Sequence, residues 1–209
     1  MKTTSGRISL SIAVIAASLF ATLAPSRARA EEGEGDLTGL VVGIDGGYSR
    51  PTGHDYQGQL DDALDTLHGF IGYRMFGVFS LEAAATDIQA PVKNSKATAD
   101  IRSYSLDARL FVPIRSVQPN ILFGYAPTAS LHTATSTVSE SLHGDGFILG
   151  AGLRMVVMPK LFLTADFRHQ FIRYQKGDVT VGGITASGTF GSELRGDVWS
   201  GLVGGGVQF

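Results

Sequence analysis

The segment LFLTADFRHQF, residues 161–171, alternates between apolar and polar side chains with a period of two. Its odd-numbered positions are mostly apolar, whereas Thr164, Asp166 and Arg168 occupy positions between them. Successive side chains of a β-strand point to opposite faces, so this pattern predicts a strand with one apolar and one charged face. The charges lie on one face only, which indicates that the two faces meet different surroundings.

Seven other segments repeat this alternation. They lie at residues 40–49, 67–75, 79–86, 104–112, 120–125, 147–155 and 199–209. A tilted strand needs about 9–11 residues to cross a bilayer, and the segments are of about that length. After residue 30 no apolar run is long enough for a transmembrane helix. The pattern predicts an all-β chain: a closed, antiparallel, up-and-down transmembrane β-barrel of eight strands.

Short and long connections alternate along the chain. The short ones lie near residues 76–77, 113–119 and 157–160, and the long ones at 51–62, 88–100, 127–145 and 175–195. Tight turns on one rim and long loops on the other are typical of a membrane barrel. Residues 178–186 alternate around Gly182 and Gly183, which predicts a hairpin above the membrane. If this hairpin entered the sheet, the barrel would have ten strands.

The polar faces carry four acidic and four basic residues. They are Asp45, Arg74, Glu82, Asp107, Arg109, Arg154, Asp166 and Arg168. An apolar outer face and a charge-balanced inner face predict a lipid-exposed barrel with structural ion pairs in its lumen. Examples of such pairs are Glu82 with Arg109 and Asp166 with Arg168.

Outward aromatic residues fall near both ends of the predicted strands. Those near the short turns are Tyr73, Phe79, Phe123 and Phe209, and those near the long loops are Tyr104, Phe147, Phe171 and Trp199. Aromatic girdles at both interfaces are typical of membrane barrels.

The first 30 residues have the pattern of a cleaved secretory signal peptide. Lys2 and Arg7 precede an apolar stretch, and Ala28-Arg29-Ala30 forms a small-residue cleavage pattern. Residues 31–209 then form the predicted barrel domain. It keeps 13 basic residues against 19 acidic ones, which argues against nucleic-acid binding. The chain has no Cys, which excludes disulfides and thiolate metal sites.

The last segment, ending GLVGGGVQF at Phe209, is the most specific part of the sequence. Together with Leu81-Glu82-Ala83 and residues 163–168, it makes residues 36–209 resemble the small eight-stranded outer-membrane barrels of the OmpA/OmpX/opacity type in Gram-negative bacteria. The resemblance implies a multi-pass protein of the cell outer membrane, in contact with outer-membrane lipid and lipopolysaccharide. It further implies periplasmic chaperones and a barrel-assembly machinery that reads the C-terminal strand. The residues of this implied assembly signal are Trp199, Val203, Val207 and Phe209.

Eight strands enclose an interior just wide enough for side chains to fill. We therefore expect a structural or surface-interaction role carried by four long surface loops, with no catalytic residues, cofactor or metal. One alternative is a lipid-modifying enzyme of the acyl hydrolase or transferase type, for which His169 is a candidate base near the long-loop rim, although no G-x-S-x-G motif is present. Another is a narrow channel for small solutes, lined by the same eight charged residues. A soluble periplasmic binding barrel would need the opposite face polarity.

Overall fold

The computed structural model describes residues 38–52, 60–95, 97–114, 116–134 and 138–209. The predicted signal peptide, residues 1–30, lies outside the described residues. The described chain is built from eight strands. They are β1 (Gly39–Pro51), β2 (Ala63–Met75), β3 (Phe79–Pro91), β4 (Thr98–Phe111), β5 (Val117–Ala134), β6 (Val138–Met158), β7 (Leu161–Val181) and β8 (Ile184–Gln208).

Each strand pairs antiparallel with the next, and β1 also pairs with β8, which closes the sheet into a barrel. The closing seam runs from Val41 opposite Gln208 to Pro51 opposite Val198. Closure gives the backbone groups of the first and last strands their hydrogen-bond partners, as the interior of a bilayer requires. The prediction of a closed eight-stranded antiparallel barrel is confirmed.

Residues 178–186 form the tip of the β7–β8 hairpin. Val181 lies opposite Ile184, and Gly182 and Gly183 form the turn with φ values of 57° and 88°. Gly adopts positive φ at little steric cost, and a two-residue turn of this kind matches the twist of a hairpin. The hairpin lengthens β7 and β8 and adds no strand, so the ten-stranded alternative is wrong.

Three of the four predicted long loops are largely β-structure. Residues 88–91 pair with 98–101, residues 129–134 with 139–144, and residues 176–181 with 184–189. Their Ser, Thr, Gly and Asp content predicted loops, but hydroxyl side chains also bond across strands, as those of Thr180 and Thr185 do at 2.9 Å. The fourth predicted loop, residues 51–62, lies partly outside the described residues.

The outward face of the barrel is apolar and the inward face is buried. Leu106 and Val203 are 65% and 66% exposed on the outside, whereas Asp107, on the neighbouring inward position of β4, is 1% exposed. A barrel with this polarity is suited to a lipid surround. No helix in the described part of the chain is long and apolar enough to cross a membrane.

A separate apolar cluster fills the barrel at the end formed by the long hairpins, here called the long-hairpin end. Its larger members are Leu60, Ile88, Ile101, Leu131, Leu142, Ile172, Tyr174 and Val198. Except for Leu60, they lie on strand segments, some of which carry outward ion pairs, Arg102 with Asp87 and Arg173 with Asp145. The opposite rim, with the turns at residues 76–78 and 159–160, is the short-turn end.

Candidate functional site

The barrel interior collects all eight charged residues that the sequence predicts to face inward. Each is at most 6% exposed, and Arg74, Arg109 and Arg154 are among the most deeply buried side chains. Each lies on the inward parity of its strand, since its sequence neighbours point outward. Small residues beside them leave the necessary room: a Cβ at Gly124 or Gly152 would overlap the carboxylate of Asp107 or Asp166.

Arg109 is the centre of the network. Its Nε lies 3.0 Å from Glu82 Oε2, and its two terminal nitrogens each lie 2.8 Å from an oxygen of Asp166. Its Nη1 also donates to Asn120 Oδ1 at 3.0 Å. The guanidinium thereby neutralises carboxylates from two strands, β3 and β7, and ties both to β4.

Glu82 serves a second arginine. Its Oε1 lies 3.3 Å from Arg154 Nη2 and accepts a 2.8 Å hydrogen bond from Ser80. One buried carboxylate therefore contacts cations from β4 and β6. A buried charge is tolerated only when it is paired and hydrogen-bonded in this way.

A second ion pair lies closer to the long-hairpin end. Arg168 Nη2 is 2.6 Å from Asp107 Oδ2, and Arg168 Nη1 is 2.6 Å from His68 Nε2. Because the guanidinium can only donate, His68 Nε2 is the acceptor. His68 Nδ1 lies 3.0 Å from Thr86 Oγ1, so the imidazole connects the ion pair to β3.

Of the two example pairs expected from the sequence, Glu82 with Arg109 is present and Asp166 with Arg168 is not. Asp166 pairs with Arg109, and Arg168 pairs with Asp107. Asp166 and Arg168 are successive inward residues of one strand, so their side chains extend in parallel. Each reaches across the barrel more readily than along its own strand.

Two of the eight charged residues have no ion-pair partner among the described residues. Asp45 accepts a hydrogen bond from Thr164 at 2.5 Å. Arg74 donates through Nη1 to Gln118 Oε1 at 2.8 Å, and through Nε and Nη2 to the carbonyl oxygen of Gly77. The charges therefore balance over the whole lumen but not at each level of it.

Aromatic rings and hydroxyls complete the filling. At the short-turn end the guanidinium carbons of Arg74 and Arg154 lie 4.2 and 4.7 Å from the ring centroid of Phe111, and Arg154 lies 4.2 Å from that of Phe162. Between the ion pairs and the apolar cluster, Ser49 Oγ is 2.7 Å from the hydroxyls of both Ser200 and Thr66. The sequence analysis did not include four of the side chains that fill the lumen, although their inward positions on the strands would have identified them. They are Phe111, Gln118, Asn120 and Phe162.

The histidines are dispersed. His169 lies on the outer face, with its ring stacked on Trp199 at 3.7 Å and close to Phe171 at 3.9 Å. Within the described residues its Nε2 has no hydrogen-bond partner, so it is not paired with a hydroxyl nucleophile there. On the β5–β6 hairpin, His132 Nδ1 lies 2.8 Å from Ser141 Oγ. The described residues contain no group of three or more His, Cys, Asp or Glu arranged to hold a metal ion.

An antiparallel barrel that is apolar outside and filled with paired charges inside is a transmembrane β-barrel. The sequence model of the outer membrane protein beta-barrel domain family matches residues 12–191. The chain belongs to this family and is a protein of the cell outer membrane. No curated protein matches it by sequence.

Three solved structures with a similar fold are distant from this chain in sequence. Neisserial surface protein A superimposes with a TM-score of 0.62 at 14% identity, covering 81% of this chain and 97% of that one. OprG of Pseudomonas aeruginosa gives 0.55 at 15% identity, with coverages of 84% and 98%. Ail, the attachment invasion locus protein of Yersinia pestis, gives 0.52 at 16%, with coverages of 82% and 97%. At these identities the likeness shows the fold alone.

Proposed function

We propose that this outer-membrane protein is a closed barrel that acts through its long hairpins at the cell surface and not through a pore. One observation supports this most directly: the apolar cluster fills the barrel beyond the ion-paired level. An ion crossing the lumen would have to displace buried ion pairs and then lose its hydration among Ile101, Leu131 and Ile172, which are at most 4% exposed. Apolar constrictions of this kind oppose conduction by excluding water.

The tip of the β7–β8 hairpin is the surface best suited to contact a partner. Val138, Val181 and Ile184 are cross-strand neighbours there, and they are 37%, 54% and 79% exposed. Adjacent apolar side chains in an aqueous region are typical of interaction surfaces. The long hairpins are taken to face the cell exterior and the short turns the periplasm, as the family resemblance implies.

Conductance across a planar bilayer tests the closed lumen. We expect the refolded protein to show no steady current. A variant with Leu131→Ser and Ile172→Ser keeps the ion-paired level, and a Glu82→Gln variant keeps the apolar cluster. Because each retains one of the two barriers, the first variant should leak no more than the second. The triple variant should conduct. A steady current through the unmodified protein would overturn the proposal and favour the narrow-channel alternative.

The C-terminal strand is proposed to direct assembly. Trp199, Val203 and Phe209 face outward, and the backbones of Phe209 and Leu40 exchange hydrogen bonds of 2.9 and 3.1 Å beside the closing seam. A Phe209→Ala variant should refold in detergent at the normal rate but accumulate poorly in the outer membrane of cells. Equal accumulation would remove the assembly role. The same proposal includes export through the signal peptide at residues 1–30. It also includes contact of the outward face with lipid and lipopolysaccharide.

Hydrolysis of an acyl ester is a second candidate function, favoured by the contact between His132 and Ser141. Asp100 lies opposite His132 on β4, so a carboxylate, an imidazole and a hydroxyl occupy one row across three strands. This is the order of groups in a catalytic triad. Covalent labelling by a fluorophosphonate, lost in Ser141→Ala but kept in Ser139→Ala, would support it. Absence of labelling in the unmodified protein would exclude it.

A further inference from the structure

The ion pairs nearest the short turns leave one arginine over. Arg109 and Arg154 contact two carboxylates, Glu82 and Asp166, whereas Arg74 has no ion-pair partner among the described residues. Asp45, which accepts from Thr164, makes no ion-pair contact with any of these arginines within the described residues. Arg109 engages both carboxylates, and Arg154 shares Glu82 with it. Arg74 therefore remains as an excess positive charge, although it is fully buried. A buried cation without a counter-charge is costly, so this level of the barrel favours an additional anion.

Five buried donor nitrogens of this group have no hydrogen-bond partner within the described residues. Two belong to Asn120 and to Arg109, whose Nη2 still lies 2.8 Å from Asp166 Oδ2. The other three, Arg154 Nε and Nη1 and Gln118 Nε2, belong to the residues around Arg74. Gln118 lies opposite Arg154 in the β5–β6 register and accepts from Arg74 through its carboxamide oxygen. Buried N–H groups normally have a partner, and each orphan requires an explanation.

The faces of the two guanidinium groups are already occupied. Both lie against the ring of Phe111, and Arg154 also lies against Phe162. Their N–H groups lie at the edges of the guanidinium planes. Within the described residues, the one carboxylate contact there is Glu82 Oε1, 3.3 Å from Arg154 Nη2. The unused donors and the excess charge thus occur together beside Gln118.

We propose that Arg74, Gln118 and Arg154 bind one small monovalent anion of the halide class near the short-turn end of the lumen. The ion supplies the missing negative charge and accepts from the unused donors. The interior of an eight-stranded barrel is just wide enough for side chains, so a compact ion suits it better than a bulky organic anion. The inference does not depend on what the long hairpins contact.

Chloride-dependent stability tests the site. The detergent-refolded protein is unfolded in urea in sodium chloride and in sodium gluconate of the same ionic strength. A ligand that binds only the folded state lowers the unfolding constant by the factor 1 + [L]/Kd. We expect the urea midpoint to rise with chloride and saturate, and gluconate to have no such effect. Broadening of the ³⁵Cl NMR line by the folded protein provides a direct readout without any variant.

Gln118→Glu is the sharpest variant, because it places a covalent negative charge beside Arg74. It should raise the midpoint in gluconate and abolish both the chloride response and the line broadening. Asn120→Asp is the matched control, an amide-to-acid change at the next inward position of β5, beside Arg109. It should keep the chloride response. Identical midpoints of the unmodified protein in the two salts, without line broadening, would mean that water alone fills the site and would overturn the proposal.

Discussion

Arg109 shows how a single residue organises the interior of this barrel. It contacts Glu82, Asp166 and Asn120 at distances of 2.8–3.0 Å while being only 1% exposed. Removing such a cation leaves two carboxylates buried with too little positive charge, and the loss of one partner of a buried pair is more damaging than the loss of both.

Arg109→Gln is therefore expected to destabilise the folded barrel by about 3–5 kcal/mol. The measurement is urea unfolding in lipid vesicles. Arg102→Gln is the control, because Arg102 is paired with Asp87 at 3.4 Å on the outside, where its side chain is 40% exposed. That change should cost less than about 1 kcal/mol, as exposed pairs usually do. Equal effects would mean that the central network contributes no more than a surface pair.

At this scale the sequence predicts which residues face inward but not which of them touch. Parity along each strand placed Asp166 and Arg168 in the lumen. Their partners depend on strand tilt and on the stagger of the closed sheet, which bring Arg109 and Asp107 opposite them. These are properties of the three-dimensional sheet, so they are not contained in the periodicity of any one strand.

The strands as elements are defined by their two unlike faces. Leu106 on β4 is 65% exposed, whereas Ser105 and Asp107 on either side of it are at most 5% exposed. On the lipid-facing side a charged side chain near the bilayer centre must lose its hydration, and in an aqueous hairpin it does not.

Leu106→Arg is expected to cost about 2–4 kcal/mol of folding free energy in a bilayer. Ser187→Arg, at an exposed position near the tip of the β7–β8 hairpin, should cost almost nothing. Both can be measured as shifts in the urea midpoint on vesicles. If the two substitutions were equally harmful, the assignment of the lipid-facing side would be wrong.

The lengths of the hairpins were harder to predict than the existence of the strands. Between Ala126 and Ala129, and between Tyr174 and Lys176, the register shifts. Such bulges interrupt the strict alternation of side chains, so a period-two pattern read from the sequence ends there although the strand continues. Polar composition beyond each bulge then suggested loops where the structure has paired strands.

The molecule as a whole joins two kinds of interior in one sheet. Where lipid surrounds the barrel, the inside is polar and ion-paired. At the long-hairpin end, the inside is apolar, as in a soluble protein, because water now lies outside the sheet. Apolar burial stabilises a folded protein by about 25 cal/mol per Å² of apolar surface removed from water. The apolar cluster therefore stabilises the folded barrel only at the long-hairpin end, where water surrounds the sheet.

This organisation predicts that the long hairpins resist proteolysis when the protein is folded in vesicles. Lys176 and Arg195 lie in paired strands of the β7–β8 hairpin, beside the cluster residues Ile172 and Tyr174. Trypsin added to intact vesicles should therefore cut at these two sites slowly.

Leu131→Ser combined with Ile172→Ser should increase the cutting rate there, because proteolysis follows the population of locally opened states and the cluster opposes opening. A double substitution of exposed residues of the same hairpin, Ser187→Ala with Thr189→Ala, is the control and should leave the rate unchanged. Rapid cutting of the unmodified protein at Lys176 would show that the hairpins are held by their backbone pairing alone and that the apolar cluster does not stabilise them.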